Sequence, residues 1–169
     1  LLTLTDCALN VVPDLLTKKD ILQNAIDFAH ALDIEQPKVA ILAAVEEVKP
    51  QMQSTIDAAA LCKMADRGQI TGALLDGPLA FDNAISQQSA DIKHIHSPVT
   101  GDVDILLVPD LEAGNMLGKQ LIYLGEAKAA GIVMGSKVPI VLTSRSDDEL
   151  DRLYSIALGA YVAQKRKQA

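Results

Sequence analysis

Between Val103 and Arg145 the chain reads VDILLVPDLEAGNMLGKQLIYLGEAKAAGIVMGSKVPIVLTSR, and its apolar runs most narrow the choice of fold. VDILLVP is unbroken by polar alternation and is closed by Pro109, so it reads as a strand buried on both faces. An acidic, glycine-bearing turn follows, then the amphipathic segment GNMLGKQLIYL, a helix. PIVLTSR repeats the pattern as a second buried strand, with Ser144 and Arg145 at its carboxyl end and another helix behind. Upstream, Lys38–Val45 and Ile70–Leu75 read as strands. Helices are expected over Lys18–Leu32, over Pro50–Arg67 with Gly68 closing it, and over Phe81–Ile92. Leu4–Val12 reads as extended up to Pro13, and 94–101 as a loop or edge segment. This alternation points to an α/β fold, an open and mostly parallel sheet with helices on both faces. In such sheets ligands gather at the carboxyl ends of strands, where loop side chains and free helix amides converge.

Composition supports that architecture and removes some functions. Apolar residues make up 49% of the 169 but aromatics only 3%, so the core must be built from Leu, Ile, Val and Ala. A net charge of −7 argues against nucleic acid as a partner, though a local cation cluster can still hold a phosphate. The longest apolar runs fall far short of the roughly 18 to 20 residues that span a bilayer, and there is no charged-then-apolar leader. Cys7 and Cys62 lack metal or redox spacing and read as reduced, buried thiols of a cytoplasmic protein. His94 and His96 alternate like strand neighbours, but a pair without a third ligand is a weak metal signal; a solvated pair is expected, and no metal site. His30 reads as a core-rim residue.

Three groups of residues can carry chemistry. Asp76, Gly77 and Pro78 stand at the end of the Ile70 strand, with Asp82 six residues after Asp76; they are either a site loop or a plain turn. Asp110, Glu112, Gly114, Asn115 and Lys119 surround a helix start. Gly114 allows close backbone approach, Asn115 can cap the helix or present an amide, and Lys119 follows one turn later on the same face. Ser144 can donate to a developing oxyanion, and Arg145 can hold a phosphate with two parallel bonds. No G-x-S-x-G elbow exists and no histidine is sequence-linked to Ser144, which leaves a Ser-His-Asp hydrolase poorly supported. Asp147, Asp148 and Glu149 follow Ser146 in a Ser-x-x-Glu capping pattern, where acidic residues are expected for helix electrostatics alone.

DGPLAFDNAIS, PDLEAGNMLGK and AGIVMGSKVPIVLTSR, taken in order, resemble the phosphate acyltransferases that exchange coenzyme A and phosphate on an acyl group. The resemblance runs from about Leu4 to the C-terminus and is nearer the butyryl than the acetyl branch. Acetyl-type members tend to read NTGN and LSRG where this chain has Glu112–Asn115 and Thr143–Ser146. It implies a scaffold like isocitrate and isopropylmalate dehydrogenases, acyl-CoA and phosphate as substrates, no cofactor, and a cytoplasmic homo-oligomer. Ser144 would stabilise the tetrahedral adduct, and Asp76–Pro78 would line the acyl and phosphate cleft. Arg145, Gly114, Asn115 and Lys119 would serve phosphate or CoA binding. Asp151, seven residues beyond the serine, is the first choice for the base, and Asp147 for organising the loop.

Members are nearly twice this long and have two domains, and this chain opens on Leu1 inside an expected strand. The resemblance therefore implies that residues 1–134 are the second domain, that 135–169 return to a first domain otherwise missing, and that the chain alone is inactive. Two alternatives stand beside a butyryltransferase: a phosphate acetyltransferase, and a non-catalytic regulatory domain of the same fold. A different enzyme on that scaffold would need a metal-binding aspartate cluster, which the sequence lacks.

Overall fold

A computed structural model describes residues 1–168. Four strands form one parallel sheet: β1 (Thr3–Thr5), β2 (Lys38–Leu42), β3 (Leu74–Leu79) and β4 (Ile105–Leu107), in the order β1-β4-β2-β3. Between them run α1 (Leu15–Ala31), α2 (Gln53–Asp66), and the short α3 (Phe81–Ile85) and α4 (Gln87–Ile92). After β4 come α5 (Leu111–Tyr123), an antiparallel pair β5 (Ile132–Val133) and β6 (Ile140–Val141), and α6 (Glu149–Gln168).

Successive side chains on a strand point to opposite faces, and here both faces are covered. Val39, Ile41, Ile105 and Leu107 meet Leu22, Ile26 and Ala29 of α1 and Ala58 and Leu61 of α2. Ala40, Leu42, Leu106 and Val108 face the other way, with Leu79, Ala84 and Val99, and partly buried Phe81 and Leu117 close that side. Ile26, Leu61, Ile105 and Leu106 are fully buried, each contributing about 1.5 to 3 kcal/mol. That explains why the strands read as continuous apolar runs.

Local signals hold at several ends. Asp14 caps α1 by accepting from the Thr17 amide at 2.8 Å, and Gly68 takes φ +72° just past α2. Elsewhere the boundaries move. The third strand begins at Leu74 rather than Ile70, because the chain turns through Gly72 at φ +87° while Ile70 is buried in the turn. The helix expected over 81–92 breaks at Ser86, whose hydroxyl accepts from the Ser89 amide and starts α4. His94 and His96 are exposed in a loop rather than on a strand, and His30 sits on the exposed side of α1 with Nε2 2.8 Å from the Gly72 carbonyl.

The largest departure is at PIVLTSR. Its strand is the two-residue β6, paired only with β5 and exposed, not a buried member of the parallel sheet. The β5–β6 hairpin straddles the division expected at 134/135, and α6 packs on it through Ser155 and Gly159. Ala169, the end of the expected returning segment, lies outside the described residues.

Candidate active site

Two connections build the site. The first leaves β4 through Val108, Pro109 and Asp110, and the Asp110 carboxylate accepts from the Ala113 amide at 2.8 Å to start α5. Gly114 is buried there. A side chain on it would meet Val108 Cγ2 at 2.7 Å and the Asp6 carbonyl at 3.0 Å, so its close approach is to the protein's own backbone. Asn115, exposed, donates from Nδ2 to the Cys7 carbonyl at 3.4 Å. Lys119 is one turn on, its ammonium 5.9 Å from the Tyr123 ring centroid.

The second connection joins β6 to α6. Asp147 Oδ2 accepts from the Ser144 amide at 2.6 Å while the Asp147 amide donates back to the Ser144 carbonyl at 3.2 Å, closing a turn around Arg145 and Ser146. Ser144 Oγ lies 3.0 Å from Ser146 Oγ. The helix cap is Asp148 rather than Ser146: it accepts from the Asp151 amide at 2.8 Å, and its carbonyl accepts from Arg152. Asp151 therefore stands in the first turn, its Oδ1 3.5 Å from the Ala129 amide.

The second connection borders a cleft of about 490 Å³ whose other side is the later part of α5 and the loop after it, not the start of α5. Lys119, Ile122 and Tyr123 line one wall, Ser144, Ser146, Asp147, Asp148 and Asp151 the other, and Glu126 to Lys128 the end. Four expected site residues, Lys119, Ser144, Asp147 and Asp151, thus come together. Arg145 lies in the same turn, exposed but outside that lining, and Gly114 and Asn115 sit at the start of α5 rather than in the lining. Lys128 and Tyr123 were not legible as site residues. Tyr123 is one turn beyond Lys119, a weak signal, and Lys128 sits in a loop without any periodic pattern.

Asp76, Gly77 and Pro78 are placed apart from this cleft. They lie inside β3 rather than after it, where the pairing with β2 shifts between Ala40 and Leu42 to accommodate them. Gly77 is needed because a side chain would stand 2.8 Å from the Ile41 carbonyl. Asp76 Oδ1 accepts from the Gly77 amide at 2.8 Å. Beyond the strand, Lys93 joins Glu46 at 2.8 Å and Asp82 at 2.9 Å; Lys93 holds the Glu46 carboxyl below its ordinary value, and the Ser89 hydroxyl, then Lys93, do the same for Asp82. Neither thiol is a ready nucleophile. Burial pushes Cys7 and Cys62 up to about 12, with Asp6 adding to the first and Asp76 and Asp66 to the second.

The family model described as "Phosphate acetyl/butaryl transferase" matches residues 1–160. The chain belongs to this family. It is 60% identical over 168 residues to a phosphate acetyltransferase of Rhizobium meliloti, covering 99% of this chain and 53% of that protein. It is 50% identical over 163 residues to a phosphate butyryltransferase of Clostridium acetobutylicum, covering 96% of this chain and 54% of that one. A branched-chain phosphotransacylase from Enterococcus faecalis V583 has the same fold, with a TM-score of 0.87 at 37% identity over 94% of this chain and 56% of that one. The chain thus spans about half the length of the relatives it matches. Among the described residues no helix is long and apolar enough to cross a membrane.

Proposed function

We propose that the protein carrying this chain is a phosphate acyltransferase, interconverting a short acyl-CoA and phosphate with acyl phosphate and free CoA. The observation that carries the reading is the convergence of Ser144, Asp147, Asp151 and Lys119 on one cleft, in a chain of this family. In the direction of thioester synthesis, Asp151 takes the proton from the CoA thiol. The thiolate sulfur then bonds to the carbonyl carbon of the acyl phosphate, and the Ser144 hydroxyl donates to the oxyanion that forms. Collapse of the adduct breaks the bond to the phosphate oxygen, and phosphate leaves towards Arg145 and Lys119.

Asp151 suits the base because Asp147 is already committed to the Ser144 amide, whereas among the described residues the one hydrogen bond to the Asp151 carboxylate, from the Ala129 amide, is long at 3.5 Å. No step as written calls on a metal or a prosthetic group. A butyryl-type acyl group is the first choice, with acetyl the alternative, since relatives bear both names.

The same proposal extends to assembly. On α6 the face of Ser155, Gly159 and Val162 is buried, while Leu150, Leu153 and Ile156 are about half exposed. A domain supplied by the other half of the relatives' length would cover those residues, completing the cleft in a cytosolic homo-oligomer. The test is product analysis. The whole protein, given butyryl-CoA or acetyl-CoA, is expected to release one free thiol per acyl phosphate formed, only with phosphate present. Thiol release without phosphate, or without acyl phosphate, would mean a hydrolase instead.

A further inference from the structure

Behind the cleft wall lies a buried hydroxyl that the reaction above does not use. Ser155, on the second turn of α6, is 1% exposed. Its hydroxyl donates to the Asp151 carbonyl at 2.8 Å, a bond back along its own helix that serines commonly make. Its oxygen also accepts from the Gly131 amide at 3.0 Å, 24 residues away in the chain. That second bond joins two separate elements.

Gly131 is gripped on both sides. Its amide goes to Ser155, and its carbonyl accepts from the Leu142 amide at 3.0 Å. A side chain at this position would collide with the Leu142 carbonyl, so the close approach needs glycine. Leu142 follows β6 and stands two residues before Ser144. Hydrogen bonds therefore run from Asp151 through Ser155, Gly131 and Leu142 to the foot of the Ser144 turn. The covalent route between Ser144 and Asp151, residues 145–150, has no buried member, so this inner route is the one packed within the protein. The same loop brings the Ala129 amide to 3.5 Å from Asp151 Oδ1. Oδ2 is left without a partner among the described residues, open to a thiol proton.

The geometry points to Ser155 as a positioning residue for acyl transfer: by holding Gly131 it fixes where the Asp151 carboxylate stands relative to the Ser144 hydroxyl. Ser155 touches no substrate and acts through those two groups. Proton removal and oxyanion stabilisation occur on one adduct, so a misplaced pair costs rate rather than substrate binding. The inference rests on the acyltransferase reading and adds a residue to it.

The experiment uses the whole protein as wild type, Ser155→Ala, Ser155→Thr, Ser155→Cys, Asp151→Asn, and Ser155→Ala combined with Asp151→Asn. Rates are measured well below every melting temperature, with kcat and the KM of acyl-CoA and of phosphate taken separately. Ser155→Ala should lower kcat about tenfold and leave both KM values within about twofold. Ser155→Thr keeps a hydroxyl that can make the same bond back along the helix, and should retain kcat within about threefold. Ser155→Cys, close in shape but a weaker donor and acceptor, should fall between the two, which keeps the test open if Ser155→Ala fails to fold. In the Asp151→Asn background Ser155→Ala should cost less than about twofold more, because the base it positions is already gone. A kcat unchanged in Ser155→Ala and Ser155→Cys while the melting temperature falls would make Ser155 purely structural and overturn the inference. So would a loss carried by KM instead of kcat, a threonine variant as slow as the alanine one, or losses that multiply in full in the double variant. A wild type without phosphate-dependent turnover would instead defeat the functional reading itself.

Discussion

The ion pair between α1 and α2 makes a sharp test of how this fold is held. Lys18 Nζ lies 2.7 Å from Asp57 Oδ2, both side chains are 7% exposed, and Gln53 Nε2 donates to the other Asp57 oxygen at 2.8 Å. At that separation and an effective dielectric near 20 the attraction is about 6 kcal/mol. Desolvating the two charges costs several kcal/mol each, so the pair as a whole nets close to zero. Removing one partner is different, since the other charge stays buried without compensation. Asp57→Asn should therefore cost about 3 to 5 kcal/mol. For a chain of 169 residues, 3 kcal/mol corresponds to roughly 6 to 12 °C in melting temperature. Lys18→Met with Asp57→Leu together should return to within about 1 kcal/mol of the original. Urea unfolding followed by circular dichroism measures all three. A loss below about 1 kcal/mol in Asp57→Asn, or a double variant as unstable as the single one, would refute the reasoning.

Asp151→Asn should lower turnover by on the order of a hundredfold with the melting temperature nearly unchanged. Asp147→Asn keeps an acceptor for the Ser144 amide and should lose only about fivefold, so equal losses in the two variants would undo the division of roles. Arg145→Lys should raise the phosphate concentration needed for half-maximal rate despite the kept charge, because an ammonium cannot reproduce the two-pronged geometry; an unchanged phosphate dependence would make Arg145 structural. Burial alone would raise the Asp6 pKa, yet hydrogen bonds to its carboxylate from Ala8, Asn10 and Leu9 lower it, and the sign is defined: its contribution to stability is present above the unfolded value near 3.8 and is lost as pH falls through the lower folded value. Acid unfolding curves of wild type and Asp6→Asn should converge below that range, and a gap that stays constant into strong acid would contradict the Asp6 network.

What could be read from the residues alone follows from how local each cause is. α1 announces itself by apolar spacing, although it starts at Leu15 behind the Asp14 cap rather than at Lys18, and β2 and β4 by apolar runs that need cover on both faces. Asp76–Gly77–Pro78 reads as a turn because those residue types form turns, yet a register shift on the neighbouring strand lets β3 run through them. Ile140 and Val141 look like a buried strand since an apolar run reads the same whether or not its cover belongs to the chain; here both are exposed. Ser146 and Asp148 are equally good caps on paper, and only the hydrogen bond to the Asp151 amide chooses between them. Ser144, Asp147 and Asp151 were legible because they are neighbours in sequence. Lys128 was not, since it meets them only once the loop after α5 and the β6–α6 connection are folded beside the same cleft.

The most direct measurement of the central claim is the rate of acyl phosphate formation from butyryl-CoA and phosphate by the whole protein and by its Ser144→Ala variant, with both melting temperatures recorded. The account predicts phosphate-dependent turnover in the wild type, and a loss on the order of a hundredfold or more in the variant at an unchanged melting temperature. Full activity in Ser144→Ala, or a wild type that forms no acyl phosphate from butyryl-CoA or acetyl-CoA, would contradict it.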